Sequence, residues 1–223
     1  MIKDLLQNYI KDYKITLTEN QYEQFQKYFE LLAEWNEKMN LTAITDESGV
    51  ALKHFADSLS LLNFVDIPQN SSLADVGTGA GFPGVVLKIA RPDIKLTLID
   101  SLNKRLVFLG EVCAQLGIEA ELIHSRAEDG ARDEKLRENF DFAVSRAVAR
   151  MNVLSEYCLP YVKVGGAFCA MKGAQANEEF KESLNAINTL GGKLENKYFF
   201  ELPENGGERA IAVVRKVKNT PQK

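Results

Sequence analysis

The sequence predicts a doubly wound α/β fold, a mostly parallel sheet finished by a C-terminal antiparallel hairpin and preceded by N-terminal helices. Three observations carry that prediction. From Ser72 onward, short apolar or β-branched runs alternate with amphipathic helical stretches, the pattern of a parallel sheet with right-handed crossovers. The first of these runs breaks into a glycine-rich turn that a helical stretch follows. The last two runs are joined through Glu204-Asn205-Gly206-Gly207, where the glycine pair marks a hairpin turn.

The elements follow in order. A helix is predicted between Thr18 and Met39, because Tyr22, Phe25, Phe29, Leu32 and Trp35 step by three and four. Thr18, with Gln21 three places later, forms a capping box at its start. Residues Asn40 to Thr45 are too polar and β-branched to continue it. A second helix runs from about Gly49 to Val65, with Leu52, Phe55, Leu59 and Leu62 in register. Strands are predicted over Leu73–Val76, Lys95–Asp100, Ala120–His124, Phe140–Ser145 and Ala167–Lys172. Helices fall between them at Pro83–Ala90, Asn103–Leu116 and Met151–Val162, while the charged link Arg126–Asn139 carries no clear element. A helix over Ala176–Leu190 precedes the hairpin strands Lys193–Leu202 and Arg209–Val217. The chain divides into a helical cap, residues 1–70, packed on a sheet domain, residues 71–223, as one compact unit.

With 223 residues, 45% hydrophobic and 26% charged, the chain suits one globular domain with a substantial core. No run of about 18 apolar residues is available to cross a membrane. The stretch Met1–Lys14 has scattered charges and no apolar export core. Cys113, Cys158 and Cys169 are an odd count, far apart, and His54 and His124 are the only histidines. Neither a disulfide framework nor a metal site is expected; buried, reduced thiols in a cytoplasmic monomer are. The net charge of −4 argues against a general nucleic-acid binder, because phosphate neutralisation needs clustered Lys and Arg. An RNA substrate would require a local basic patch on this acidic body.

The strongest site signal is Asp75-Val76-Gly77-Thr78-Gly79-Ala80-Gly81-Phe82-Pro83-Gly84. Its glycines permit positive φ and close approach of a ligand to the backbone, and Pro83 suits the first turn of the next helix. A ligand held there sits at the carboxyl edge of the sheet. Gly79-x-Gly81-x-x-Gly84 matches the dinucleotide fingerprint. Asp75, two places before the first glycine, would repel a pyrophosphate, whereas its carboxylate can meet an ammonium or organise the loop. Glycines that begin one step early, as Gly77-x-Gly79-x-Gly81, have the pattern of S-adenosylmethionine loops. Asp100, closing the second strand, can accept both ribose hydroxyls or cap the following helix. Glu128, just past the third strand, stands where adenine would sit.

Together with its surroundings, the loop resembles a specific family. It is followed by Asp100-Ser101-Leu102-Asn103-Lys104-Arg105, Phe108-Leu109, Ser145-Arg146-Ala147 and Lys172-Gly173. Upstream stand Trp35-Asn36, Asn40-Leu41-Thr42 and His54-Phe55-Ala56-Asp57-Ser58-Leu59. This ordered set covers nearly the whole chain. It resembles the bacterial guanine-N7 methyltransferases of 16S ribosomal RNA (the methyltransferase G family, first called glucose-inhibited division protein B). The resemblance implies a Rossmann-like enzyme that moves a methyl group from S-adenosylmethionine to N7 of one guanine, guanine 527 in the usual numbering. Its partner would be 16S ribosomal RNA or the small ribosomal subunit. Carried over by motif, it implies cofactor contacts at Gly77, Phe82, Ala127, Glu128 and Arg146, to which the residue reading adds Asp75, Gly79 and Asp100. Relatives sharing Lys218-Asn219-Thr220-Pro221 commonly run on into a basic tail. This sequence stops at Lys223, and a weaker grip on RNA is expected from it.

The chemistry agrees. Guanine N7 carries a free lone pair, so no general base is needed and positioning can supply up to roughly 7–11 kcal/mol. The fourth strand ends in Phe142-Ala143-Val144-Ser145-Arg146-Ala147. It lacks the Asn/Asp-Pro-Pro-aromatic motif that resembles exocyclic-amine methyltransferases and the Pro-Cys pair of cytosine-C5 enzymes. Arg146 is the one positioning candidate. It could pair with the cofactor carboxylate, an RNA phosphate or guanine O6, or form a structural ion pair. Candidate RNA contacts are Lys53, His54, Lys104, Arg105, Arg150 and Lys172. Phe82 would touch the cofactor or stack a flipped-out guanine. Two other functions stay open: a methyltransferase of small molecules, which the pI of about 5.4 favours, and a nicotinamide-dependent oxidoreductase.

Overall fold

The computed structural model of the protein describes residues 1–174 and 176–222. Its strands are β1 (Ser72–Val76), β2 (Lys95–Asp100), β3 (Ala120–His124), β4 (Phe140–Arg146), β5 (Val162–Lys172), β6 (Gly192–Glu201) and β7 (Glu208–Lys216). They form one sheet in the order β3-β2-β1-β4-β5-β7-β6. The first five are parallel, and β7 lies antiparallel to both β5 and β6. Strand order reverses between β1 and β4, so a crevice opens at their carboxyl ends.

Side chains alternate across each strand, and the core therefore has two layers. Leu73, Leu98, Phe142, Val144 and Cys169 face one layer, shared with the N-terminal helices α1 (Ile2–Tyr9) and α2 (Glu19–Met39) and with α5 (Gly84–Ala90) and α6 (Asn103–Leu116). Ala74, Val76, Ala143 and Phe168 face the other, with α8 (Met151–Cys158), α9 (Ala176–Glu182) and α10 (Leu184–Thr189). The first layer is continuous from Ile2 to Val213. Cys113, Cys158 and Cys169 are buried and unpaired. No helix among the described residues is long and apolar enough to cross a membrane.

The predicted α2 starts on its capping box: Thr18 Oγ1 accepts from the Gln21 amide and Gln21 Oε1 from that of Thr18. It stops at Asn40, which adopts φ 49° and caps it in the left-handed region. The second predicted helix is broken into three pieces: α3 (Glu47–Val50), a π-helical turn Ala51–Ala56, and α4 (Asp57–Phe64). Competing donors explain the break. The carbonyl of Lys53 accepts from Arg146 and that of His54 from the Ser58 hydroxyl, which loosens the regular ladder.

Other boundaries also shift. Strand β5 begins at Val162 rather than Ala167, hidden in sequence by Lys163 and by Gly165, which sits at φ 90°. The predicted helix Met151–Val162 is correspondingly shorter, ending in a 3-10 turn at Leu159–Tyr161. The predicted helix Ala176–Leu190 divides at Ser183, whose buried hydroxyl donates to the Phe180 carbonyl. In the hairpin turn, the left-handed residues are Glu204, Asn205 and Gly207, so only one of the glycine pair supplies positive φ. A short helix α7 (Ala127–Gly130) occupies part of the charged link.

Candidate active site

The glycine loop is organised from beneath by Asp75. This carboxylate is fully buried, and its Oδ2 accepts from Thr78 Oγ1 at 2.7 Å and from the Gly84 amide at 2.8 Å. Of the two roles sequence left open for Asp75, the structure therefore gives it the second. It braces the loop and does not reach the crevice. Its other oxygen has no partner among the described residues, and burial pushes its pKa up to about 6. Gly77 and Thr78 donate their amides to the Ile99 carbonyl, tying the loop to β2. A Cβ on Gly84 would stand 2.6 Å from Asp75 Oδ2, whereas one on Gly79, at φ +61°, would meet nothing and project into open space. The loop is thus packed tightly at Gly84 and bare at Gly79, as a backbone that receives a ligand must be, while Gly77 lies close under Val148. Pro83 follows a cis peptide and sits at the N-cap of α5, which therefore starts at Gly84, one place after the predicted start.

Above the loop lies a cleft of about 680 Å³. Of the predicted cofactor residues, Gly77, Gly79, Phe82, Asp100, Ala127, Glu128 and Arg146 all line it. Asp100 is nearly buried and serves several donors. Oδ2 accepts the Gly79 amide at 2.9 Å, with Arg105 Nη1 at 3.4 Å, and Oδ1 accepts the Leu102 amide at 2.9 Å. By holding the amide of Leu102, the N-cap of α6, it ties the entry to that helix to the loop. Glu128, exposed at the start of α7, faces the same space as Tyr157, whose phenol it holds above the ordinary range.

The opposite wall is a polar chain. Arg146 leaves the end of β4 and donates to Asp57 Oδ2 and to the Lys53 carbonyl, each at 3.0 Å. Its Nη2 lies 3.1 Å from His54 Nδ1. A guanidinium only donates, so Nδ1 accepts, and Nε2–H donates to Thr42 Oγ1 at 2.8 Å. The His54 ring stacks on Phe82 at 4.4 Å, with the Arg146 guanidinium 5.1 Å from the centre of the same Phe82 ring. Burial and the adjoining positive charge lower the His54 pKa to about 3, so the imidazole is neutral. Asp57 also receives Arg209 Nε from β7 at 3.3 Å, and Asn36 Oδ1 accepts the Thr42 amide at 2.8 Å. The chain thus runs from α2 to the hairpin.

The candidate RNA contacts differ in how far their groups are already engaged. His54 is a neutral wall group rather than a cation, because Arg146 occupies its Nδ1. Lys172 is only 9% exposed; it pairs with Glu179 at 2.8 Å and donates to the Ala149 carbonyl. Arg150 pairs with Glu182 on the surface. Arg105 leans on Asp100. Lys53 and Lys104 are exposed. For Arg146, the ion pair with Asp57 is realised. The sequence reading missed Thr42, Asp57 and Arg209 as site residues. Asp57 was detectable three places after His54, on the same helical face; Arg209 has no local signal.

The model of the family described as rRNA small subunit methyltransferase G matches residues 21–206. A ribosomal RNA small subunit methyltransferase G from Leuconostoc citreum is 53% identical over 217 residues, covering 96% of this chain and 90% of its own. One from Geobacillus sp. is 52% identical over 210 residues, covering 94% and 88%. The structure of a SAM-dependent O-methyltransferase from Thermotoga maritima superposes with a TM-score of 0.56 at 15% identity, covering 85% of this chain and 73% of that one. That likeness shows the Rossmann-like methyltransferase fold. On the family match and these identities, the chain belongs to the rRNA small subunit methyltransferase G family.

Proposed function

We propose that this protein transfers the methyl group of S-adenosylmethionine to N7 of one guanine in 16S ribosomal RNA, guanine 527. The observation that carries the reading is the state of His54, the imidazole in the cleft wall. Both its ring nitrogens are engaged, by Thr42 and by Arg146. A hydroxyl or amine substrate calls for a free general base, the role histidine most often fills. Guanine N7, with its lone pair exposed, needs none.

The residues present fit the cofactor. Gly79 offers bare backbone, with Gly77 beside it under Val148, Asp100 can accept ribose hydroxyls, and Ala127 and Glu128 border the adenine end. Phe82 supplies an apolar wall, and Arg146, oriented by Asp57, can meet a carboxylate. When bound, S-adenosylmethionine supplies an electrophilic methyl group on a sulfonium. What the chain contributes is orientation: the fixed wall of Phe82, His54 and Arg146 limits how a base can enter, and keeps water out of that side. The same reading takes residues 1–70 as a cap framing the substrate mouth and 71–223 as the catalytic body, working as a monomer in the cytoplasm.

The test is transfer from tritiated S-adenosylmethionine to small subunits lacking their own N7-methylguanine, with protein-free 16S RNA alongside. Label on one guanine, releasable by the strand scission that N7-methylguanine permits, is expected. Cofactor binding without label on either RNA form would point instead to a small-molecule methyltransferase.

A further inference from the structure

A second cavity, of about 360 Å³, lies on the far side of His54, Arg146 and Ala147, which line both spaces. It opens at the carboxyl ends of β4 and β5 and is closed laterally by the hairpin. Four cations line it, Lys53, Arg146, Lys172 and Arg209, against one carboxylate, Asp57. Lys172 is also paired with Glu179, so on a chain of net charge −4 the cavity carries a local excess of positive charge from Lys53 and the Arg146–Arg209 pair. Asp57 is already engaged by Arg146 and Arg209, while Lys53 is exposed at the rim. Between the cations the surface is apolar, from Met171, Ile211 and Phe200. Ala147, in the shared wall, has φ 56°, a conformation that costs a non-glycine residue energy and tends to persist at functional sites.

An apolar slot flanked by cations suits a base and its phosphate, and its position beside the cofactor cleft suits a neighbouring nucleotide on one strand. We infer that this cavity is a subsite for the nucleotide adjacent to the methylated guanine. Its base enters against Phe200 and Met171, and its phosphate faces Lys53 and Arg209. This rests on the RNA-methyltransferase reading above and adds to it a contact that holds the strand in register while the guanine occupies the cleft.

Gly173 makes a direct test available. It lines the second cavity and not the first, and a Cβ built on it meets no atom of the described residues within 4 Å. Gly173→Leu should therefore plug the subsite and spare the cofactor cleft. The expected result is unchanged S-adenosylmethionine affinity in calorimetry, with kcat/KM on RNA reduced about tenfold or more. An abasic nucleotide on one side of the target guanine should lower the wild-type rate comparably, yet lower the rate of the plugged variant less than twofold further. Independent, multiplying effects would overturn the subsite, as would a plugged variant within twofold of wild type. Should Gly173→Leu lose cofactor binding through misfolding, Lys53→Gln decides. Its logarithmic salt slope for RNA binding should be smaller by about one, and an unchanged slope would refute the phosphate contact. Wild-type protein that labels no RNA would instead remove the underlying reading.

Discussion

Asp57 holds two guanidinium groups at once, and its replacement leaves the largely buried Arg146 without its counter-charge. Asp57→Ala should lower stability by about 3–5 kcal/mol, the usual effect of breaking a buried pair, seen as a lower urea midpoint. His54 makes a sharper prediction. Its folded pKa of about 3 lies below the ordinary 6.5, so its contribution to stability is complete above pH 6.5 and is lost as pH falls toward 3. Imidazole nitrogen NMR shifts should stay flat between pH 8 and 5, and a midpoint near 6.5 would refute the Arg146 contact as drawn. Asp75 behaves in the opposite sense. Its pKa is raised from 3.8 to about 6, so the folded state holds the proton more tightly and stability falls as pH rises through that window. Ionisation costs up to about 3 kcal/mol above pH 6. Relative to Asp75→Asn, the wild type should lose about that much between pH 4 and 7.

Within elements, the glycine loop separates packing from ligand approach. Gly84→Ala drives a methyl against Asp75 and Leu98 and should lower both the Tm and cofactor affinity. Gly79→Ala meets no protein atom. It should lower stability by only about 1 kcal/mol through its positive φ, yet weaken S-adenosylmethionine binding at least tenfold in calorimetry. The bounds of β2, β3 and α6 coincide with those read from the sequence, because each is set by local signals: a period-two apolar run, or a helical stripe ended by Gly117 at φ 63°. The π-helical turn at Ala51–Ala56 was not legible, since the carbonyls that loosen it are claimed by Arg146, distant in sequence, and by Ser58.

At the level of the whole molecule, a net charge of −4 coexists with a local group of cations, Lys53, Arg146, Lys172 and Arg209, around the second cavity. Lys104, exposed where α6 opens, should contribute to RNA affinity alone. Lys104→Ala is expected to reduce the salt slope by about one and leave cofactor affinity intact. Arg105→Ala, through Asp100, should disturb both, and titrations of the two variants at matched ionic strength distinguish the cases.

The sequence by itself determined the fold class, the glycine loop, the α2 cap and part of the lining of the cleft above that loop, Gly77, Gly79, Phe82, Asp100, Ala127, Glu128 and Arg146, since these rest on local motifs at the carboxyl ends of successive strands. Only the tertiary structure decided that β7 inserts between β5 and β6, that Asp75 braces the loop from below, and that His54 is neutral and Lys172 paired. The reason is that a side chain's protonation and availability depend on the partners around it. The partners that matter here come from far along the chain, with Asp57 meeting Arg146 across 89 positions and Arg209 across 152.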